Sequence, residues 1–97
     1  MELPLEDVGR ICRTYRVKRL SLFGSAARGE ADPNDLDFLI VLDAPDDPGY
    51  ADRYLGLKWD LENLFNLPVD LVSEHAIRNP YFREEVDEQR QVVFETP

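Results

Sequence analysis

The chain has 97 residues, the size of one domain, and its 20 acidic against 11 basic residues give a formal net charge of −9. So acidic a composition excludes generic coating of nucleic acids, and a single cysteine excludes a disulfide framework and a cysteine-rich zinc site. No apolar run approaches the roughly 18 residues of a membrane helix, and residues 1–4 lack the basic and apolar regions of a signal peptide. We therefore expect one cytoplasmic domain over residues 1–97.

The first half of the chain predicts one amphipathic helix and two strands. Pro4 opens a helical pattern in which apolar residues recur at steps of three and four, namely Leu5, Val8, Ile11, Cys12 and Tyr15. Residues 18–23 predict a strand that Gly24 and Ser25 end, and residues 26–28 predict a short helix with Gly29 as its C-cap. The nearly continuous apolar run Leu36–Leu42 predicts a central strand that is buried on both faces.

The second half predicts two more helices and two more strands. Residues 43–49 read as an exposed loop, a long helix begins within 48–51 and ends at 66–68, and residues 69–72 form a third strand. Asn79 and Pro80 suit the N-cap and first position of a helix that runs to about Glu88, and residues 92–94 form a short last strand. This order predicts an α/β or α+β domain with a small mixed β-sheet and flanking helices.

Gly24 and Ser25 are candidates for a phosphate-binding turn. They stand where a strand ends and a short helix is predicted, so free backbone N–H groups would point outward toward an anion. Gly24 allows close approach of the ligand, and Ser25 adds a hydroxyl group. Gly-Ser turns are common, so this pair is informative only together with the acids that follow.

Three acids interrupt or precede apolar strands and are candidate metal ligands. Asp35 and Asp37 are two positions apart at the start of the most apolar strand, so they point to one face while Leu36 points to the other. Asp70 interrupts the third strand and reaches the same cleft if the second and third strands are neighbours. Converging carboxylates repel one another and any triphosphate unless a divalent ion such as Mg²⁺ binds them. For the Gly24 turn and Asp35 to contact one nucleotide, the first two strands should run antiparallel.

The run from Gly24 to Asp37 resembles the signature of the DNA polymerase β-like nucleotidyltransferase superfamily, and more closely that of the minimal nucleotidyltransferases of bacteria and archaea. Nine residues separate Ser25 from Asp35, one fewer than in many close relatives, and Asn34 stands where a serine often precedes the first acid. The resemblance covers nearly the whole chain and implies the polymerase β-like fold.

The resemblance also implies the chemistry. Asp35 and Asp37 would bind Mg²⁺, with two ions expected, and Asp70 would be the third carboxylate of the catalytic and metal site, near the attacking group. Gly24 and Ser25 would contact the phosphates of an NTP, with ATP expected. Members of this family commonly act as antitoxins paired with a HEPN-type ribonuclease toxin, and some transfer AMP from ATP to a tyrosine of that toxin.

Several alternatives stay open at this stage. The chain could instead mask its partner in a stoichiometric complex, or it could modify a small molecule or RNA in an acceptor site that an oligomer completes.

The roles of some individual residues also stay open. Arg28 could bind a phosphate or pair with a local acid, either Asp32 or Asp35. A basic stripe could be a solvated face or a docking patch for an acidic partner; it comprises Arg10, Arg13, Arg16, Lys18 and Arg19. Trp59 could cover a second face of its helix or contact a partner.

Overall fold

The apolar run Leu36–Leu42 forms a central strand of a four-stranded sheet in the computed structural model, which describes residues 3–29 and 33–96. The helices are α1 (Leu5–Thr14), α2 (Tyr50–Phe65) and α3 (Pro80–Gln89), and a 3₁₀ turn spans Glu74–Ala76. The strands are β1 (Val17–Phe23), β2 (Leu36–Leu42), β3 (Val69–Ser73) and β4 (Gln91–Glu95). The predicted α+β domain with a mixed sheet is confirmed.

The strand order is β3-β2-β1-β4, so the two strands with the strongest apolar patterns lie at the centre. β1 runs antiparallel to β2 and to β4, whereas β2 and β3 are parallel and are joined through α2. A parallel pair needs such a crossover connection, which the long helix supplies. The predicted antiparallel arrangement of the first two strands and the predicted contact between the second and third are confirmed.

One face of the sheet carries the main apolar core. Leu20 and Leu22 of β1 point to the same side as Phe38 and Ile40 of β2, and all four are almost completely buried. Buried residues of α1 and α2 cover them, among them Cys12 of α1, which is a core residue as predicted. At roughly 25 cal/mol per Å² of apolar area removed from water, this packing is the main source of stability.

The opposite face is covered more thinly, by α3 and the 3₁₀ turn. Ser21 and Leu39 are completely buried on this side, and Val86 of α3 is buried with them. The rings of Phe23 and Phe82 meet edge to face, with centroids 6.4 Å apart, and this contact holds the N-terminal end of α3 near the end of β1.

One sequence-based expectation about local structure is wrong. Residues 24–29 form consecutive turns rather than a short helix, because two glycines with positive φ, Gly24 and Gly29, bound a segment too short for helical propagation. Helix α1 ends at Thr14, and Arg16 after it adopts a positive φ of 56°.

The remaining boundaries agree with the predictions to within a few residues. Asn79 caps α3, since its side chain accepts hydrogen bonds from the backbone N–H groups of Tyr81 and Phe82, and Pro80 occupies the first turn. The single histidine, His75, is exposed.

Three members of the basic stripe pair with acids of the chain itself. Arg16 pairs with Asp47 at 2.7 Å, and Arg19 turns into the sheet to pair with Glu74. Arg10 pairs with Asp7 at 3.2 Å on the exposed side of α1. Trp59 is 66% exposed, so it does not cover a second face within this domain.

Within the part of the chain that the structure describes, no helix is both long enough and apolar enough to cross a membrane.

Candidate active site

The three acids singled out from the sequence come together at the edge of the thinly covered face. Asp37 of β2 and Asp70 of β3 are direct partners in the parallel register, and Asp35 immediately precedes β2. One carboxylate oxygen from each of the three lies within 4.8 Å of the others. Leu36 between the first two acids is completely buried on the apolar side, as the alternation of a strand requires.

In the part of the chain that the structure describes, no cation pairs with the acids of this cluster. Burial raises the pKa of Asp37 above its usual range, and the neighbouring carboxylates of Asp35 and Asp70 raise it further. None of the three acids forms an ion pair in residues 3–29 and 33–96. Mutually repelling carboxylates favour binding of a divalent cation, because the cation removes the repulsion.

The donor set is compatible with a divalent cation such as Mg²⁺. Magnesium takes oxygen ligands and commonly uses only a few carboxylates, with water and substrate phosphates completing its coordination. Asp35 and Asp70 are exposed and Asp37 is half-buried, so the three oxygens face a side that is open to solvent and substrate.

The turn that follows β1 lies directly against the acidic cluster. Phe23 is the register partner of Asp37, so the next residue, Gly24, lies beside that carboxylate. Gly24 has a φ of +76°, and a Cβ atom at this position would lie 2.6 Å from Oδ2 of Asp37. Only glycine therefore allows both the positive φ and the close approach.

The Gly24 turn also presents unused backbone donors. The N–H groups of Arg28 and Gly29 bond back to carbonyl groups in residues 24–26, whereas those of Ser25, Ala26 and Ala27 donate no backbone hydrogen bond within the described residues. Successive free N–H groups in a turn form an anion-binding concavity. The predicted phosphate contact thus depends on the turn and not on the N-terminus of a helix.

Arg28 is exposed and does not pair with Asp35. Its guanidinium donates to the side-chain oxygen of Gln89 on α3 at 3.3 Å. The other acid considered as its partner, Asp32, lies outside the described residues. A contact of Arg28 with a nucleotide phosphate stays a prediction.

A cleft of about 190 Å³ separates the Gly24 turn from α3. Phe23, Gly24 and Arg28 line one side, and Phe82, Glu85 and Val86 line the other, with Gln89 at the end. The cleft therefore brings α3 to the site, a contribution that was not predicted from the sequence. The available signal was the spacing of Phe82, Glu85, Val86 and Gln89, which places all four on one side of a helix.

Two further contacts that were not predicted from the sequence fix β3, the strand that carries Asp70. Oε2 of Glu62 in α2 accepts a hydrogen bond from the backbone N–H of Val69 at 3.0 Å, and this contact lowers the pKa of Glu62, as does Lys58. The hydroxyl of Tyr54 donates to the backbone carbonyl of Leu71. Both contacts join α2 to the residues on either side of Asp70.

A buried ionic cluster lies further along the same face. The carboxylate of Glu74, only 4% exposed, contacts the guanidinium groups of Arg19 and Arg90. Arg90 also donates to the hydroxyl of buried Ser21 at 3.0 Å. Burial lowers the pKa of Arg90, as does the positive charge of Arg19. This Glu74 cluster connects β1 and the 3₁₀ turn to the junction between α3 and β4.

Comparison with known proteins gives the family. A family model described as "Nucleotidyltransferase domain" matches residues 6–93. Two proteins of Methanocaldococcus jannaschii, both named provisionally as protein adenylyltransferases, are 39% and 36% identical to this chain over 75 residues. Each alignment covers 76% of this chain and 74% of the relative.

Solved structures agree with the fold. A protein provisionally described as a minimal nucleotidyltransferase is 34% identical, with a TM-score of 0.72 over 90% of this chain and 86% of its own. A toxin–antitoxin structure with AMP-PNP has a TM-score of 0.72 at 21% identity, covering 97% of this chain and 75% of its own. A tri-AMPylated Shewanella oneidensis HEPN toxin in complex with its MNT antitoxin has a TM-score of 0.64 at 18% identity, covering 95% and 70%. The last two likenesses concern the fold alone. The chain therefore belongs to the nucleotidyltransferase domain family and has the fold of the minimal, polymerase β-like nucleotidyltransferases.

Proposed function

We propose that this protein is a Mg²⁺-dependent adenylyltransferase that transfers AMP from ATP to a hydroxyl group of a HEPN-type toxin and thereby acts as its antitoxin. The observation that carries the proposal is the convergence of Asp35, Asp37 and Asp70 beside the Gly24 turn. The adenylyltransferase names of the relatives and the toxin–antitoxin structures with the same fold support it.

Asp35, Asp37 and Asp70 would hold the metal, with two ions expected by resemblance. The bound metal supplies positive charge at the α-phosphate as negative charge develops there. The free N–H groups of the Gly24 turn, the hydroxyl of Ser25 and the guanidinium of Arg28 bind the remaining phosphates.

Asp70 would accept the proton of the attacking hydroxyl, because it is an exposed member of the same acidic cluster. The acceptor oxygen forms a bond to the α-phosphorus, and the bond between that phosphorus and the bridging oxygen of the β-phosphate breaks. Pyrophosphate leaves, AMP stays on the acceptor, and the proton passes from Asp70 to solvent.

The first test is binding. Mg²⁺ with ATP at about 100 times the dissociation constant should stabilise the fold by roughly 2.7 kcal/mol in a thermal melt. ATP with a chelator should give little stabilisation, because the acids then repel the phosphates. A melting curve that does not respond to metal and nucleotide contradicts the site.

The second test distinguishes catalysis from masking. The substrate is the HEPN-type protein whose gene lies nearest the gene of this chain. It is incubated with ATP, Mg²⁺ and a substoichiometric amount of this chain, and its mass is then measured by mass spectrometry. Catalysis requires mass gains in multiples of one AMP on more toxin molecules than there are copies of this chain, and Asp35→Asn and Asp37→Asn should each abolish the gain. Unmodified toxin held in a one-to-one complex by both variants would establish stoichiometric masking instead.

A further inference from the structure

The outward side of α3 carries apolar surface that nothing in the described chain covers. Tyr81 is 82% exposed and Phe82 is 39% exposed, both in the first turn of the helix. Phe82 contacts Phe23, the residue before Gly24, so this aromatic pair borders the cleft beside the candidate active site. Exposed aromatic side chains of this size often mark contact sites for other proteins.

The same side of α3 is strongly acidic. Four of its ten residues are acids, and its one arginine, Arg83, pairs with Asp87 at 3.5 Å and donates to the backbone carbonyl of Glu74. Arg90, which follows the helix, is likewise occupied by Glu74 and Asp87. Among the described residues, Glu84, Glu85 and Glu88 form no ion pair, and all three are exposed.

These features form one surface. Tyr81, Glu84, Glu85 and Glu88 are spaced at three and four residues, so they follow one side of the helix. We call these four residues the α3 surface. Glu85 also lines the cleft against Gly24, and Gly24 lies against Asp37, so the α3 surface continues into the acidic cluster.

The negative charge of the α3 surface favours one class of partner over others. The unpaired carboxylates of the α3 surface repel phosphate backbones, which argues against RNA as the acceptor. Lysine and arginine side chains instead pair with carboxylates and bind the face of an exposed tyrosine ring. Arg28 lines the cleft opposite Glu85, but its guanidinium donates to Gln89 and forms no ion pair with the α3 acids among the described residues, and Arg10 and Arg13 lie on α1 at the other face of the sheet.

We propose that the α3 surface docks a cationic segment of the acceptor protein, so that the acceptor hydroxyl enters the site past Tyr81 and the Glu85 side of the cleft. This inference rests on the proposed function and deepens it, because it assigns the acceptor a polypeptide class and a place of contact. Its test measures binding, whereas the proposed function is tested by transfer, so the two can fail separately.

The probe is a fluorescein-labelled dodecapeptide with a central tyrosine flanked by lysine and leucine. Its matched peptide has glutamate in place of every lysine. Fluorescence anisotropy with the full chain, without nucleotide, should show tighter binding of the lysine peptide. That affinity should fall steeply when salt is raised from about 0.05 M to 0.5 M, because exposed ion pairs are screened.

Variants locate the binding surface. The double variant Glu84→Gln/Glu88→Gln should weaken binding of the lysine peptide about fivefold, as expected for two exposed ion pairs, and Tyr81→Ala should weaken it by a similar factor. The control Glu6→Gln/Asp52→Asn changes the net charge equally at exposed positions on α1 and α2 and should leave affinity within about twofold.

Three results would overturn the proposal. The first is equal loss of affinity in the control double variant, which would mean that only net charge matters. The second is loss in Asp37→Asn with no loss in the α3 variants, which would place the peptide in the metal site. The third is tighter binding of a labelled RNA oligonucleotide of matched length than of the lysine peptide. Circular dichroism of each variant checks that the fold is retained.

Discussion

The two faces of the sheet differ in how they are held together. On the face that α1 and α2 cover, buried side chains of the strands and of both helices form one apolar cluster around Leu20, Phe38 and Ile40. On the face that α3 covers, burial is confined to a few side chains such as Leu39 and Val86, and much of the contact between elements comes from the Glu74 cluster. The candidate active site lies at the edge of this second face.

This difference shows how a domain of 97 residues can combine stability with a site of unpaired charge. Neighbouring residues of β2 point to opposite faces, so Phe38 contributes to the core while Asp37 next to it contributes to the site. The apolar face supplies stability, and the polar face can then tolerate mutually repelling carboxylates. Substitutions on the two faces test this division on one scale, the change in free energy of unfolding.

The largest loss is expected for Phe38→Ala. Phe38 is completely buried and packs against Phe65, with ring centroids 6.0 Å apart. Removing a buried ring from a core typically costs about 3–5 kcal/mol, a large part of the stability of a domain this size. Val41→Ala, a half-buried control on the opposite face of the same strand, should cost about 1 kcal/mol or less in urea unfolding. Equal losses would contradict the division between the faces.

Glu74→Gln comes next and tests the ionic attachment of the second face. Removing one member of a buried ion pair leaves the partner charges uncompensated and costs about 3 kcal/mol. The control is Glu95→Gln, because Glu95 also pairs with Arg19, at 3.4 Å, but is 54% exposed. It should cost less than about 1 kcal/mol. If both variants unfold at the same urea concentration, the Glu74 cluster does not hold the second face.

Gly24→Ala should give a smaller loss, with a matched control in Gly29→Ala. Both glycines have positive φ, so each alanine costs about 1 kcal/mol in backbone strain. Only at position 24 does the new Cβ meet Asp37, whereas at position 29 it meets nothing within 4 Å. We expect Gly24→Ala to lose about 1 kcal/mol more than Gly29→Ala, and to weaken Mg²⁺-ATP binding measured by calorimetry. If the two variants lose the same stability and bind Mg²⁺-ATP equally well, the contact of position 24 with Asp37 is unimportant.

The smallest effect on stability is expected for Asp37→Asn, which should nevertheless abolish transfer. The pKa of Asp37 is raised in the folded protein, so the folded state binds the proton more tightly than the unfolded chain does. The charged carboxylate therefore lowers stability above the folded pKa, and this cost disappears as the pH falls through it. Asp37→Asn should be at least as stable as the original protein at neutral pH, and the difference should shrink toward acidic pH.

Urea unfolding at several pH values checks this sign, with Asp46→Asn in the exposed loop before α2 as the control. A loss of several kcal/mol in Asp37→Asn at neutral pH would mean that Asp37 holds the fold together and is not a repelled ligand.

The strands and the acidic cluster could be predicted because their signals are local. The alternation of Asp35, Leu36 and Asp37 fixes which side chains share a face, and the apolar run around them identifies a central strand. Asp70 and the Gly24 turn join this site only if particular strands are neighbours, and the resemblance to a known signature supported that arrangement. The structure brings all of these together, and their catalytic roles stay predictions.

The missed features depend on partners far apart in the sequence. Glu74 is buried only because Arg19 and Arg90 reach it from other elements, and nothing in the residues around Glu74 indicates this. The pairing of Arg19, a member of the basic stripe, with Glu74 could not be predicted for the same reason. The short helix predicted at residues 26–28 does not form because two flanking glycines in left-handed conformations bound this short segment.

The direct pairing of Phe23 with Asp37, and of Asp37 with Asp70, has a consequence for how the chain finds its native strand alignment. If β2 slipped by one residue, Phe38 would be moved out of the main core to the face that α3 covers, and the Asp37 carboxylate would enter the apolar core. A buried, unpaired carboxylate is so unfavourable that this misaligned sheet would be excluded during folding. The same acid that we assign to metal binding therefore also protects the chain against an incorrect strand register.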